Sequence, residues 1–322
     1  MTSLPDHVHL PVRDIPVPPY LSDAAKALLV PRLTGPETPA LDDTEGWRAY
    51  ISASEAGLLP LLRAINPDRG ATCIERALPD AKLFDITPDD ALDNDRGVIL
   101  DFHGGGLILC AGEICKLMSI GVAGRLRRRI WAVDYRMPPD HPYPAALDDA
   151  MAAYRMLLAE RAPQDIIVHG SSAGGNIAAA MLLRAREEGL PLPAAAILNT
   201  PEVDLTESGD SFHTNIGVDP GLGSLMSANL LYADGHDITH PYLSPLFGDF
   251  TMGFPPTFLV TGTRDLFLSN TVRMHRALRD AGVRAELHVV DAAGHSCFKG
   301  APEGDLIDAE RLRFIKTVFA HA

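Results

Sequence analysis

Residues 166 to 183 read IIVHGSSAGGNIAAAMLL, placing glycines, serines and alanines between an apolar run and a helix-like run. Gly170-Ser171-Ser172-Ala173-Gly174 fits the pattern G-x-S-x-G, in which a serine occupies a strained turn from strand to helix and projects its hydroxyl. Glycine is required on both sides because a Cβ would meet the adjoining strand and helix. The plain alternative is a tight turn, but the flanking IIVH and NIAAAMLL supply the context that the reactive reading needs. The amide of Ala173, first in the helix, is free to face a developing oxyanion.

A second glycine run, His103-Gly104-Gly105-Gly106, follows the apolar stretch GVILDF directly. Three consecutive residues without side chains leave backbone N–H groups open to an anionic oxygen. A flexible loop is the ordinary reading of such a triplet. Here it follows the strand expected to precede an oxyanion loop, about 65 residues before the serine. No G-x-x-x-x-G-K-[ST] or G-x-G-x-x-G follows a strand, which disfavours a phosphate cradle.

A serine hydroxyl needs a base, and the base needs an orienting acid. In the chain order serine, acid, histidine, the base follows the last strand. His275 falls in a helix-like run, His288 in the strand-like AELHVVD, and His321 at the chain end. His295, in DAAGHSCF, is the histidine in a loop just past that strand. Asp265, in VTGTRDLF, lies just past the preceding strand and is the preferred acid; Asp291 is the alternative, with a turn as its simpler role.

The elements that must hold these residues alternate. GVILDF (97 to 102), RIWAVDY (129 to 135), DIIVHG (165 to 170), AAAILN (194 to 199), PTFLVTG (256 to 262) and AELHVVD (285 to 291) read as buried strands. Residues 112 to 128, 144 to 160, 173 to 188, 269 to 281 and 305 to 320 have helical spacing. This order implies an α/β fold with a mostly parallel sheet covered on both faces and ligand sites at the C-terminal strand ends. Residues 201 to 252 break the alternation and are expected to fold as a lid.

Composition narrows the function classes. The 322 residues, 46% hydrophobic and 22% charged, describe a globular chain, and the formal net charge of −14 opposes nucleic-acid and anionic-membrane partners. No apolar run approaches membrane-spanning length, and the first twenty residues lack the pattern of a signal peptide. Arg125, Arg127, Arg128 and Arg129 are expected to cap a helix end instead of gripping phosphate. Cys73, Cys110, Cys115 and Cys297 show no metal-ligand spacing and read as reduced thiols of a cytoplasmic protein.

HGGG at 103 to 106, DYRMPPDHPYPAALDDA at 134 to 150, GSSAGG at 170 to 175, HPYLSPLFGDF with FPPTFLVTGTRD between 240 and 265, and AGHSCF at 293 to 298 together resemble the hormone-sensitive-lipase-like family of α/β-hydrolase carboxylesterases. The resemblance covers roughly residues 70 to 320. It implies a single α/β-hydrolase domain over 1 to 322, with an eight-stranded sheet and a helical cap built from about 1 to 65 and 201 to 252. It further implies cofactor-free and metal-free hydrolysis of a small-molecule ester, with oxyanion N–H groups from Gly105, Gly106 and Ala173, and with His103 and Gly104 supporting the loop. Oligomeric state stays open, a homodimer included. Ser171 stands where many members carry Asp, and RDLFLSN replaces the usual DPLRDE, so the acidic pair downstream of Asp265 is missing. VDLTESGDS (203 to 211) is similar to the cap entry of members acting on acetyl esters and of some lactone hydrolases. A receptor that binds a small apolar ligand on the same fold is the competing class, against which the intact Ser172, Asp265 and His295 speak.

Overall fold

The computed structural model describes residues 14–30, 37–65, 70–92 and 97–320. His321 and parts of the expected cap, residues 1–13 and 31–36, lie outside them. The strands are β1 (Ala71–Ala77), β2 (Lys82–Pro88), β3 (Val98–Phe102), β4 (Arg129–Asp134), β5 (Ile166–Ser171), β6 (Ala195–Asn199), β7 (Thr257–Gly262) and β8 (Ala285–Val290). The helices are α1 (Asp23–Ala27), α2 (Thr44–Ile65), α3 (Glu113–Leu126), α4 (Ala145–Glu160), α5 (Ala173–Glu187), α6 (Ser211–Thr214), α7 (Met226–Ala233), α8 (Leu268–Asp280) and α9 (Pro302–Ala320).

The strands form one eight-stranded sheet in the order β1-β2-β4-β3-β5-β6-β7-β8. β2 is antiparallel to both β1 and β4, and every later pairing is parallel. The six strands expected from apolar runs all form. β1 escapes the pattern because it alternates partly covered and exposed residues at the sheet edge, and β2 because Asp85 interrupts its apolar residues.

Period-two alternation sends neighbouring residues to opposite faces of the sheet. Leu100, Phe102, Val168, Leu198 and Leu259 join α4, α5 and α8 in one core. Ile99, Ile167, Ile197, Phe258 and Val260 join residues of α3 and α9 in the other. Helices on both faces bury the parallel strands, which is why these strands are apolar on both sides. α5 is buried along almost its whole length, with Ile177, Met181, Leu182 and Leu183 inaccessible to solvent. That burial anchors the turn preceding it.

Of the arginines at the end of α3, Arg125 meets Asp308 and Arg127 meets Asp90, Arg129 is bidentate on Asp85 at 2.7 and 2.5 Å, and Arg128 lies over the Phe319 ring. All four cysteines are free thiols. Among the described residues, no helix is long and apolar enough to cross a membrane.

Candidate active site

β5 ends at Ser171 and α5 begins at Ala173, so Ser172 alone makes the turn between them. Its backbone has φ 56° and ψ −123°, a conformation that costs a non-glycine residue on the order of 1–3 kcal/mol and persists only where its surroundings enforce it. The enforcement is visible. Ser172 N–H donates to Asn199 O at 2.9 Å, and Ser172 O accepts from Gly175 N at 2.8 Å and Glu202 N at 3.1 Å. A Cβ on Gly170 would stand 2.2 Å from Gly174 O, and one on Gly174 would stand 2.0 Å from Phe102 O. The elbow is therefore closed to any side chain at either glycine.

The loop after β3 runs alongside. Gly105 and Gly106 have φ of 130° and 59°. Among the described residues their N–H groups donate to no backbone carbonyl, while Gly105 O accepts from Ile108 and Leu109. The site that Gly104's Cβ would occupy lies 3.2 Å from Ser172 Cβ, which brings this loop against the elbow. Ala173 opens α5, where an N–H lacks an intrahelical acceptor. His103 is buried beneath the loop, with Nδ1 2.7 Å from Gly104 O and its ring stacked at 4.1 Å on Tyr135, whose hydroxyl donates to His103 O at 2.7 Å.

His295 lies past β8 and presents Nδ1 to Asp265 Oδ1 at 3.0 Å. Asp265 is fully buried past β7, and its carboxylate also accepts from Thr261 Oγ1 at 2.7 Å and Phe267 N at 2.9 Å. Its partners thus fix the carboxylate before the imidazole arrives. The alternative acid, Asp291, is exposed and accepts instead from the Tyr20 hydroxyl of the N-terminal segment. Burial works to lower the His295 pKa, but the charge and hydrogen bond of Asp265, with Asp219 and Glu202 behind them, carry it above the ordinary histidine value. Among the described residues no hydrogen bond joins the Ser172 hydroxyl to His295; hydrogen bonds of this kind tighten in the substrate complex.

Two residues of the site were not anticipated from sequence. Asp219 accepts from four amides: Gly221 and Leu222 on Oδ1 at 2.9 and 3.1 Å, Leu266 and His295 on Oδ2 at 3.0 Å each. It thereby ties the inserted segment to both the acid loop and the histidine loop. The D-P-G tripeptide at 219 to 221 marks a turn in the sequence, but nothing local marks its distant partners. Glu202 is 1% exposed, and neither carboxyl oxygen has a hydrogen-bond partner among the described residues. Burial pushes its pKa up to about 8, against an opposing pull from His295. An acidic residue three positions past the buried strand AAILN was the available signal.

Above the loops stand Phe212, Leu266 and Phe267, with Leu222 and Leu225 packed against them. Phe267 meets the His295 ring edge-on at 4.9 Å, and Leu225 lies 3.5 Å from where a Cβ of Gly106 would sit. A buried carboxylate–imidazole pair, a strained serine and uncommitted amides form an arrangement suited to nucleophilic acyl transfer.

A family model described as the alpha/beta hydrolase fold matches residues 99–299. An acetyl-hydrolase of Streptomyces hygroscopicus is 34% identical over 194 residues, which cover 59% of this chain and 63% of that relative, less than two thirds of its length. The crystal structure of an esterase superposes with a TM-score of 0.89 at 34% identity, covering 98% of both chains. A hormone-sensitive lipase from a metagenome library superposes with a TM-score of 0.80 at 27% identity, over 93% of this chain and 99% of that one.

Proposed function

The chain belongs to the hormone-sensitive-lipase-like branch of the α/β-hydrolase fold family, and from that premise we propose that it is a serine carboxylesterase acting on short- to medium-chain esters, lactones included. The observation that carries the reading is the buried Asp265 holding His295 Nδ1, which leaves Nε2 as the basic nitrogen. Ser172 Oγ attacks the ester carbonyl as His295 Nε2 takes its proton, and Asp265 stabilises the imidazolium. The N–H groups of Gly105, Gly106 and Ala173 receive the oxyanion. Collapse of the tetrahedral species breaks the carbonyl–alkoxy bond, and His295 returns the proton to the leaving alcohol. Water, deprotonated by His295, then attacks the acyl-enzyme; the acid departs and Ser172 regains its proton.

The cap is assigned to the N-terminal segment and residues 201 to 252. Trp47 of α2, Ile108 of the glycine loop and Ala228 of α7 share one small core, which supports this division. The apolar wall beside His295 is a cluster of a few side chains, which favours acyl groups of about two to eight carbons over long chains. Wild type and Ser172→Ala assayed on p-nitrophenyl esters from acetate to palmitate, with a lactone added, test the reading. Activity that peaks at short acyl length and disappears in the variant is expected. Higher kcat/KM on palmitate than butyrate overturns the chain-length assignment, and no turnover of any ester by wild type moves the chain to ligand binding without catalysis.

A further inference from the structure

Beside the glycine loop three chemically distinct donors converge although their sequence spacing is unlike any metal motif. His103 follows β3, Cys115 lies in the first turn of α3, and Asp134 ends β4. One ligand atom from each falls within 4.8 Å of the others. β3 and β4 are hydrogen-bonded neighbours, and α3 crosses between them, so the topology brings these positions together.

The histidine is prepared for coordination. Its Nδ1 is 2.7 Å from Gly104 O, a contact that requires the proton on Nδ1 and leaves a lone pair on Nε2. That Nε2 is buried and has no hydrogen-bond partner among the described residues. Metal-bound histidines commonly donate their other ring N–H to a carbonyl or carboxylate in this way. The carboxylates of Asp134, Asp101 and Glu55 place negative charge around the ring. Cys115 Sγ has only a weak contact to Val133 O at 3.7 Å. Asp134 accepts from Gly112 N through Oδ1 at 2.8 Å; no bond among the described residues is made by Oδ2. Lys82 is the cation whose field reaches both Asp134 and Cys115.

We propose that His103, Cys115 and Asp134 bind a divalent cation of the zinc class, and that occupancy slows ester hydrolysis through the glycine loop. One nitrogen, one thiolate and one carboxylate suit zinc better than calcium or magnesium, which prefer all-oxygen shells. Bond lengths near 2.0 Å to nitrogen or oxygen and 2.3 Å to sulfur place tetrahedral donors about 3.5 Å apart, so closure by about 1 Å completes the set. Of the three, Asp134 faces a surface groove, which Arg48, Glu55, Tyr135 and Arg136 also line. Binding exchanges a proton for the metal: Cys115–SH and M²⁺ become Cys115–S–M⁺ and H⁺. Because the thiol gives up its proton on binding, affinity rises with pH. Because His103 is bonded to Gly104, closure of the donors draws on the loop that carries Gly105 and Gly106.

The regulatory half rests on the esterase reading; binding does not, and the full-length chain is tested for each separately. Titration with Co²⁺ is expected to give a thiolate-to-cobalt absorption band saturating at one ion per chain, retained in Cys110→Ala and lost in Cys115→Ala. No bound Co²⁺ in the wild type, or a band persisting in Cys115→Ala, overturns the site. Zn²⁺ is expected to reduce p-nitrophenyl acetate hydrolysis at least tenfold in the wild type, reversibly with EDTA, whereas Cys115→Ala keeps its basal rate and resists. Equal inhibition of Cys115→Ala places the ion at His295 and Asp265 and overturns the regulatory half. A wild type that binds Co²⁺ through Cys115 but hydrolyses no ester sinks the esterase reading alone.

Discussion

At the scale of single residues, the division of labour between adjacent serines is sharp. Ser171 closes β5 in register with Asn199, whereas Ser172 occupies the strained turn. Ser172→Ala is expected to lower kcat on the order of 10⁴-fold or more with an unchanged melting curve, and Ser171→Ala to retain turnover; the reverse pattern in steady-state assays would reassign the nucleophile. The pH dependence follows from His295. Its raised pKa places the rise of kcat/KM with pH above the ordinary value of about 6.5, since only the neutral ring accepts a proton. Asp265→Asn removes the charge and hydrogen bond that sustain the shift, so residual activity should titrate at lower pH and kcat should fall roughly 10⁴-fold. Asp291→Asn touches the contacts to Tyr20 and Thr263 and should alter stability more than rate. A pH–rate series on both variants separates them. The placement of Ser172, Asp265 and His295 just past strands, as candidates, was legible in sequence because the strands themselves read as apolar runs. Asp219 and Glu202 were not, since a carboxylate's worth depends on the amides or the burial it meets in three dimensions.

At the scale of elements, the turn between β5 and α5 depends on close approach of backbone to backbone. Gly174→Ala would force a Cβ to within 2.0 Å of Phe102 O, and neither β3 nor β5 can move without breaking the parallel ladder. A loss of at least about 3 kcal/mol, or failure to fold, is expected in denaturant titration; a variant melting within a degree of wild type would show that β3 yields. Glu202, just past β6, contributes with the opposite sign to most carboxylates. Its folded pKa of about 8 exceeds the unfolded value of about 4.3, so folding favours the protonated form. Stability is therefore lost as pH rises from about 4.3 to 8, and the full penalty remains above that. Glu202→Gln should be more stable than wild type at pH 9, by on the order of a few kcal/mol, and equal to it near pH 4. Thermal melts at the two pH values check the crossing. The buried parallel strands were readable as apolar runs, whereas β1 was not, because an antiparallel edge needs only one covered face, and β2 was not, because Asp85 interrupts its apolar residues.

For the molecule as a whole, the sheet supplies the strand ends and the inserted segment completes what they hold. Asp219 is the clearest case, with its carboxylate spread over amides of its own turn, of the acid loop and of the histidine loop. An amide side chain at this position would oppose N–H to N–H. Asp219→Asn should accordingly lower both the melting temperature and kcat, the latter about 10- to 100-fold. Unchanged kcat would show that the histidine loop stands without it. The sequence showed that residues 201 to 252 interrupt the alternation; that the interruption is also a buttress is visible only in the folded chain. The same contact bears on how such proteins diversify. Lids over a common hydrolase core invite exchange between relatives as a route to new substrates, by recombination in nature or by grafting in the laboratory. In this chain the segment is not a detachable module, because a donor lid lacking a carboxylate at the place of Asp219 would import a new pocket and unseat the loop of His295 beneath it.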